Sequence, residues 1–129
     1  MKLEVDDMCF ACGRRNPIGM KLEFRFDGDD YVTTLEVRPE YQGWAGVVHG
    51  GLLATALDET MARLLWEKDI NAITGRLNVR YHKPVAIGER LEVRGRIARQ
   101  RSPVVETTAE AVNGDGAVVA EAKAVSMEV

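Results

Sequence analysis

In GVVHGGLLATALDET, residues 46–60, a histidine and two glycines stand at the mouth of an apolar run, and two acids interrupt its middle. If the run is helical, His49, Gly50 and Gly51 lie at its start, where the first backbone N–H groups have no internal partner and the dipole is positive. Such a terminus can hold developing negative charge. Glycine also lets a substrate oxygen approach the main chain, which suits an oxyanion hole. A Gly-lined turn capped by His49 has the same sequence signature.

The two acids are not equivalent. At about 100° per residue, Glu59, Arg63 and Glu67 fall on one stripe at i, i+4 spacing and can pair in water, so this is the expected exposed face. Asp58 lies one step of rotation away, with Ala54, Ala62 and Leu65 as its same-side neighbours. An ionised carboxylate among apolar side chains is costly unless it is hydrogen-bonded or borders a wet cleft. Helix geometry alone equally allows Asp58 to sit at the border of the solvent stripe. Gly50 and Asp58 are about 12 Å apart along one helix and cannot grip one carbonyl from the same chain. A symmetric dimer with two antiparallel helices side by side would bring the helix start of one protomer to the Asp58 of the other.

These residues must be positioned by the rest of the chain. The run free of Pro from Gly51 to about Trp66 predicts one helix. Before it, Met20 to Phe26 and Tyr31 to Val37 alternate as strands around a DGDD turn, and Pro39 through Gly46 reads as a loop. After it, Ile70 to His82, Arg90 to Arg99, Val104 to Val112 and Ala117 to Met127 read as strands. They are joined by KPVAIGE, RQRSP and NGDG, the last a strong hairpin signal. The order is β-β-α-β-β-β-β. Val118, Ala120, Ala122, Ala124 and Ser126 share a face of small residues on which a helix could lie close. One long helix needs one curved sheet to wrap it, which predicts an α+β chain of hotdog architecture.

A chain of 129 residues, 46% hydrophobic and 29% charged, fits one domain over 1–129, with 1–19 as an N-terminal lead-in segment. The net charge of -3 argues against nucleic acid, but it is unevenly spread. Eight Lys and Arg fall between Arg76 and Arg101 against two acids, Glu89 and Glu92. That segment could form a local anion site. Neither a signal peptide nor an apolar run of membrane-spanning length is visible, so a cytoplasmic location and no membrane partner are expected. Cys9 and Cys12 give no disulfide framework. They could be half a zinc site, a redox pair, or small residues in a turn. Four ligands are not available locally, so no metal is expected, although a dimer could donate two cysteines from each chain.

GVVHGGLLATALDE followed by ITGRLNVRYHKPVAIGE is similar to the PaaI-type branch of the hotdog thioesterases, and CFACGRRNPIGMKLEF resembles the start of a subset of them. The resemblance covers nearly the whole chain. It implies an acyl-CoA thioesterase without metal or cofactor, working as a dimer or dimer of dimers with sites between protomers. On that reading Asp58 is general base or nucleophile, Gly50 supplies an N–H to the thioester carbonyl, with Gly51 beside it, and His49 assists at the carbonyl or the leaving thiolate. Thr74 falls where Ser or Thr holds the attacking water, and is by composition an ordinary strand residue. Many relatives carry Asn six residues before the His. Here that position is Gly43, with Gln42 beside it, so that either Gln42 substitutes or the site does without this ligand.

The resemblance also gives the basic segment a use. Arg76, Arg80, His82 and Lys83 are candidates for the phosphates of coenzyme A, although for any single Arg a solvated outer sheet face is the plainer reading. Two rival functions remain open on sequence. One is a hotdog hydratase or dehydratase of enoyl or 3-hydroxyacyl thioesters, in which His49 would move a carbon-bound proton. The other is a non-catalytic acyl-CoA-binding module.

Overall fold

The computed structural model of the chain describes residues 1–129. Its elements run β1 (Phe24–Asp27), β2 (Asp30–Glu36), α1 (Gly50–Glu67), β3 (Ala72–Tyr81), β4 (Arg90–Arg101), β5 (Val104–Val112) and β6 (Val118–Glu128), with a 3₁₀ turn at Pro39–Tyr41. This is the expected order. The largest difference is at β1, which starts four residues later than the alternation of Met20 to Phe26 predicts. Met20 and Leu22 are buried as that alternation requires, but their N–H groups bond to Phe10 and Ala11 of the lead-in segment, not to a strand.

α1 buries Leu53, Ala56, Leu57, Thr60, Met61, Leu64 and Leu65, the i, i+3, i+4, i+7 stripe of a helix with one apolar face. Each fully buried leucine contributes about 1.5–3 kcal/mol. The stripe lies in the hollow of one six-stranded antiparallel sheet of order β1-β2-β4-β5-β6-β3, the hotdog arrangement. The helix passes close to β4 at Gly95, where a Cβ would stand 3.0 Å from Cγ2 of Thr60. Ala120, Ala122, Ala124 and Ser126 of β6 face the core as expected. Val118 does not share their full burial. The β5–β6 register shifts at Ala111/Val112, and Val119 enters the core in its place.

β3 is an edge of the sheet and contains a β-bulge. Thr74 pairs with Ser126 and Arg76 with Val125, so Gly75 is an extra residue. A bulge reverses the alternation of everything beyond it. Ala72 and Thr74 face α1 before the bulge, and Val79 and Tyr81 face it afterwards. Arg76, Asn78 and Arg80 are turned to the outer side. No helix is long and apolar enough to cross a membrane.

Candidate active site

The start of α1 is capped by its own histidine. His49 is the N-cap residue, and its Nδ1 accepts from the Gly51 N–H at 2.9 Å. A ring nitrogen that accepts carries no proton, so the imidazole hydrogen in this neutral arrangement sits on Nε2. Leu52 and Leu53 donate to the His49 carbonyl, and the His49 N–H donates to Tyr41 O at 2.7 Å. That leaves the N–H of Gly50 as the donor in this first turn with no acceptor in the protein. Tyr81 fixes the same residue from β3, donating its hydroxyl to the Gly50 carbonyl at 2.7 Å.

The two glycines make room for protein side chains. A Cβ on Gly51 would stand 3.1 Å from His49 Nδ1, so a side chain here would press on the imidazole folded over this position. A Cβ on Gly50 would meet the Tyr81 ring at 3.4 Å, ordinary van der Waals contact. The preceding loop is tightly packed in the same way. At Gly43, where the resemblance leads one to expect an asparagine, a Cβ would lie 3.0 Å from His49 Cα and 3.3 Å from its Cβ. Gln42 turns its side-chain oxygen into the loop, accepting from Gly46 N at 2.8 Å.

Asp58, two turns further along α1, is half-buried, and Thr74 of β3 donates to its Oδ1 at 3.0 Å. Its Oδ2 has no partner in the protein. Burial lifts the Asp58 pKa above the ordinary aspartate value, the Thr74 hydroxyl opposes this, and the neighbouring Glu59 charge adds to the rise. A carboxylate with a raised pKa, one lone oxygen and a hydroxyl beside it is equipped to take a proton or to attack.

The other sequence-predicted residues divide. His82 and Lys83 line a hollow of about 200 Å³ beside Gly50, Leu53 and Tyr81. His82 Nε2 also lies 3.1 Å from Glu121 Oε1. Arg76 and Arg80 line an open basin of about 840 Å³ on the outer face, together with Arg94, Arg96, Glu110 and Lys123. Within one protomer the sheet separates them from Asp58. Two groups therefore emerge: Asp58 with Thr74, and His49, Gly50 and Gly51 with His82 and Lys83. Tyr81, which ties the second group to β3, carries no site signal in the sequence beyond its place in ITGRLNVRYHKPVAIGE.

Glu59 departs from its expected place. Arg63 and Glu67 pair at 3.3 Å as the helix spacing predicts, but Glu59 is half-buried against the lead-in segment and accepts from Cys9 Sγ at 3.1 Å. The Cys12 thiol is pushed above its ordinary range by burial and then by the Glu59 carboxylate.

Comparison with known proteins bears on the family and the fold. The family model described as thioesterase superfamily matches residues 45–120. Human acyl-coenzyme A thioesterase 13 is 26% identical over 95 residues, 71% of this chain and 68% of that protein. The PaaI protein of the Escherichia coli phenylacetic acid degradation operon superposes with a TM-score of 0.79 at 19% identity, covering 85% of this chain and 80% of that one. A hypothetical thioesterase of Streptococcus pneumoniae TIGR4, solved with coenzyme A, gives a TM-score of 0.79 at 20% identity over 84% of this chain and 85% of that one. The Streptococcus protein has also been solved with an aspartate and, sixteen residues further on, a threonine each replaced by alanine.

Proposed function

The chain belongs to the thioesterase superfamily, and on that premise we propose that it hydrolyses acyl-CoA thioesters to the free acid and coenzyme A. Asp58 activates the attack and the Gly50 N–H of a facing protomer receives the negative charge. The observation that carries this reading is the pairing of Thr74 with a half-buried Asp58 alongside a helix-start N–H left without an acceptor. The aspartate and threonine probed in the Streptococcus thioesterase have the same spacing of sixteen.

Water held near Thr74 gives a proton to Asp58 Oδ2 as its oxygen bonds to the thioester carbon. The carbonyl π electrons move onto oxygen, where the Gly50 N–H meets them. Collapse of this oxyanion expels the coenzyme A thiolate. A preorganised backbone donor at that point contributes about 3–4 kcal/mol to the barrier reduction. Direct attack by Oδ2, giving a mixed anhydride that water then opens, uses the same atoms and the same donor.

Edge strand β3 supports the two-protomer site. It offers an unpaired edge with Ile73, Leu77 and Tyr81 exposed, a surface suited to pairing with another strand. Thr74, which reaches Asp58, and Tyr81, which reaches Gly50, lie symmetrically about the midpoint of Leu77 and Asn78. An antiparallel two-fold at that midpoint would set the Thr74 end of one β3 beside the Tyr81 end of the other. Asp58 of one protomer then faces Gly50 of its partner, twice. His82 and Lys83 lie at the mouth of such a site, placed for the phosphates of coenzyme A.

Thiol release from short, medium and aromatic acyl-CoA substrates tests the function. Wild type is expected to liberate one thiol per acid formed, and Asp58→Asn to lose that turnover while keeping the oligomeric state. An Asp58→Asn variant with undiminished turnover would overturn the assignment, as would substrate binding by wild type with no thiol released over the whole panel.

A further inference from the structure

The lead-in segment brings two thiols onto a carboxylate that the proposed hydrolysis does not use. Cys9 Sγ, Cys12 Sγ and a carboxylate oxygen of Glu59 all lie within 4.8 Å of one another. Cys9 contacts Glu59 Oε2 at 3.1 Å, and Arg63 Nη1 lies 3.7 Å from Cys12 Sγ. From the geometry of this cluster we infer a binding site for one zinc-class divalent cation, held by Cys9, Cys12 and Glu59, with a fourth position left to water.

The scaffold suits that role. Cys9 and Cys12 sit on one turn closed by the Gly13 N–H donating to Cys9 O at 2.8 Å. The turn is so tight that a Cβ on Gly13 would collide with the Asp7 carbonyl oxygen. The segment is anchored on both sides: Ala11 is buried, Leu22 N donates to Ala11 O at 2.9 Å, and Arg15 N to Asp7 O at 3.1 Å. Glu59 is carried by the middle of α1. In a tetrahedral site with zinc–sulfur distances of about 2.3 Å, neighbouring ligand atoms stand about 3.7 Å apart, so the three need only modest side-chain rotation to close on an ion.

The charges also fit. Two thiolates and a carboxylate carry three negative charges, a divalent cation cancels two, and the Arg63 guanidinium, shared with Glu67, lies against Cys12 beside the third. Arg63 Nη1, already 3.7 Å from Cys12 Sγ, is the donor a thiolate there would meet. Thiolate ligands select zinc, cadmium or cobalt over magnesium and calcium. The bound ion would clip the lead-in segment to α1 and close one wall of the adjacent apolar groove of about 470 Å³, lined by Leu3, Val5, Met8, Ala62 and Trp66.

The test is cobalt titration of the full chain, reduced and stripped of metal, followed by zinc. One equivalent of cobalt is expected to give thiolate-to-metal charge-transfer bands and the intense visible bands of a tetrahedral site, with zinc displacing it. Zinc should protect both cysteines from alkylation and raise Tm in proportion to its concentration. Glu59→Gln, which keeps both thiols and the shape of the helix, should weaken binding about 10- to 100-fold or more. Cys9→Ser should abolish the charge-transfer bands at near-stoichiometric metal. Reduced protein that takes up no cobalt, or uptake that Glu59→Gln and Cys9→Ser both leave unchanged, overturns the site. None of these readings depends on hydrolytic activity.

Discussion

Thr74 donates to Oδ1 of Asp58 at 3.0 Å and leaves Oδ2 without a protein partner. The carboxylate is aligned but incompletely compensated, and burial raises its pKa above 3.8. An acid whose folded pKa exceeds its unfolded one binds more protons when folded, so stability falls as pH rises through that window. At neutral pH the ionised Asp58 therefore costs stability. Asp58→Asn is expected to melt at a higher temperature than wild type near pH 7, with the difference gone below about pH 3.8. Hydrolysis should fall about 10²- to 10⁴-fold. Thermal melts across pH, run beside thiol release, check both; a variant less stable than wild type at neutral pH contradicts the burial account.

The same hydrogen bond should be visible in the pH profile of the reaction. The Thr74 hydroxyl lowers the Asp58 pKa against burial, so removing it lets the pKa rise further. Thr74→Val is expected to move the acid limb of kcat/KM to higher pH and to lower kcat about 10- to 100-fold. Thr74→Ser, which keeps the donor, should retain the wild-type limb. Identical profiles for Val and Ser would reduce Thr74 to a strand residue.

Gly50 can lose its N–H with little change of shape. It is the first residue of α1, a position where proline is tolerated, and the preceding His49 has the extended φ -68, ψ 128 that proline requires of its neighbour. Gly50→Pro should fold and lose about 10²- to 10³-fold in kcat. If sites form between protomers, co-expressing Gly50→Pro with Asp58→Asn rebuilds one intact site in each mixed dimer. Random assortment then restores about a quarter of wild-type activity from two inactive parents. No recovery in a purified mixed dimer would mean that the donor and the acid do not act across the interface.

Placing asparagine at Gly43 should harm the enzyme. Its Cβ would press on the backbone of His49 at 3.0 Å, and His49 caps the helix start. Gly43→Asn is expected to cost about 1–3 kcal/mol of stability and to reduce turnover. Gln42→Ala, which frees the Gly46 N–H, should lower Tm with a smaller effect on KM. Melting curves and steady-state kinetics of the two variants decide this; higher turnover in Gly43→Asn would show that the loop has space the geometry denies.

Much of this was legible in the sequence because local chemistry dictated it. The apolar stripe of α1, the Gly/Asn/Asp turns and the small face of β6 from Ala120 to Ser126 each follow from periodicity or backbone preference, and the helix stripe and these β6 residues are buried as expected. The resemblance pointed to Thr74 only as a holder of the attacking water; its hydrogen bond to Asp58 comes from the packing of β3 against α1. What could not be read was long-range or irregular. The lead-in segment has no period of its own, so nothing announced that Cys9 would sit on Glu59 across fifty residues of chain. The basic residues of β3 and of the turn after it look like one set, but Arg76 and Arg80 open onto the outer basin while Lys83 lies at the helix start.

The extra residue at Gly75 sets the phase of the whole edge strand. Thr74 and Tyr81 are separated by an odd number of positions, so a regular strand would send one of them away from the helix. One inserted glycine is thus what allows a single ribbon to serve the acid at one end and the helix tip at the other. Deleting Gly75 would leave every proposed catalytic residue in the protein and still uncouple the two ends, because parity, and not composition, is what the deletion changes.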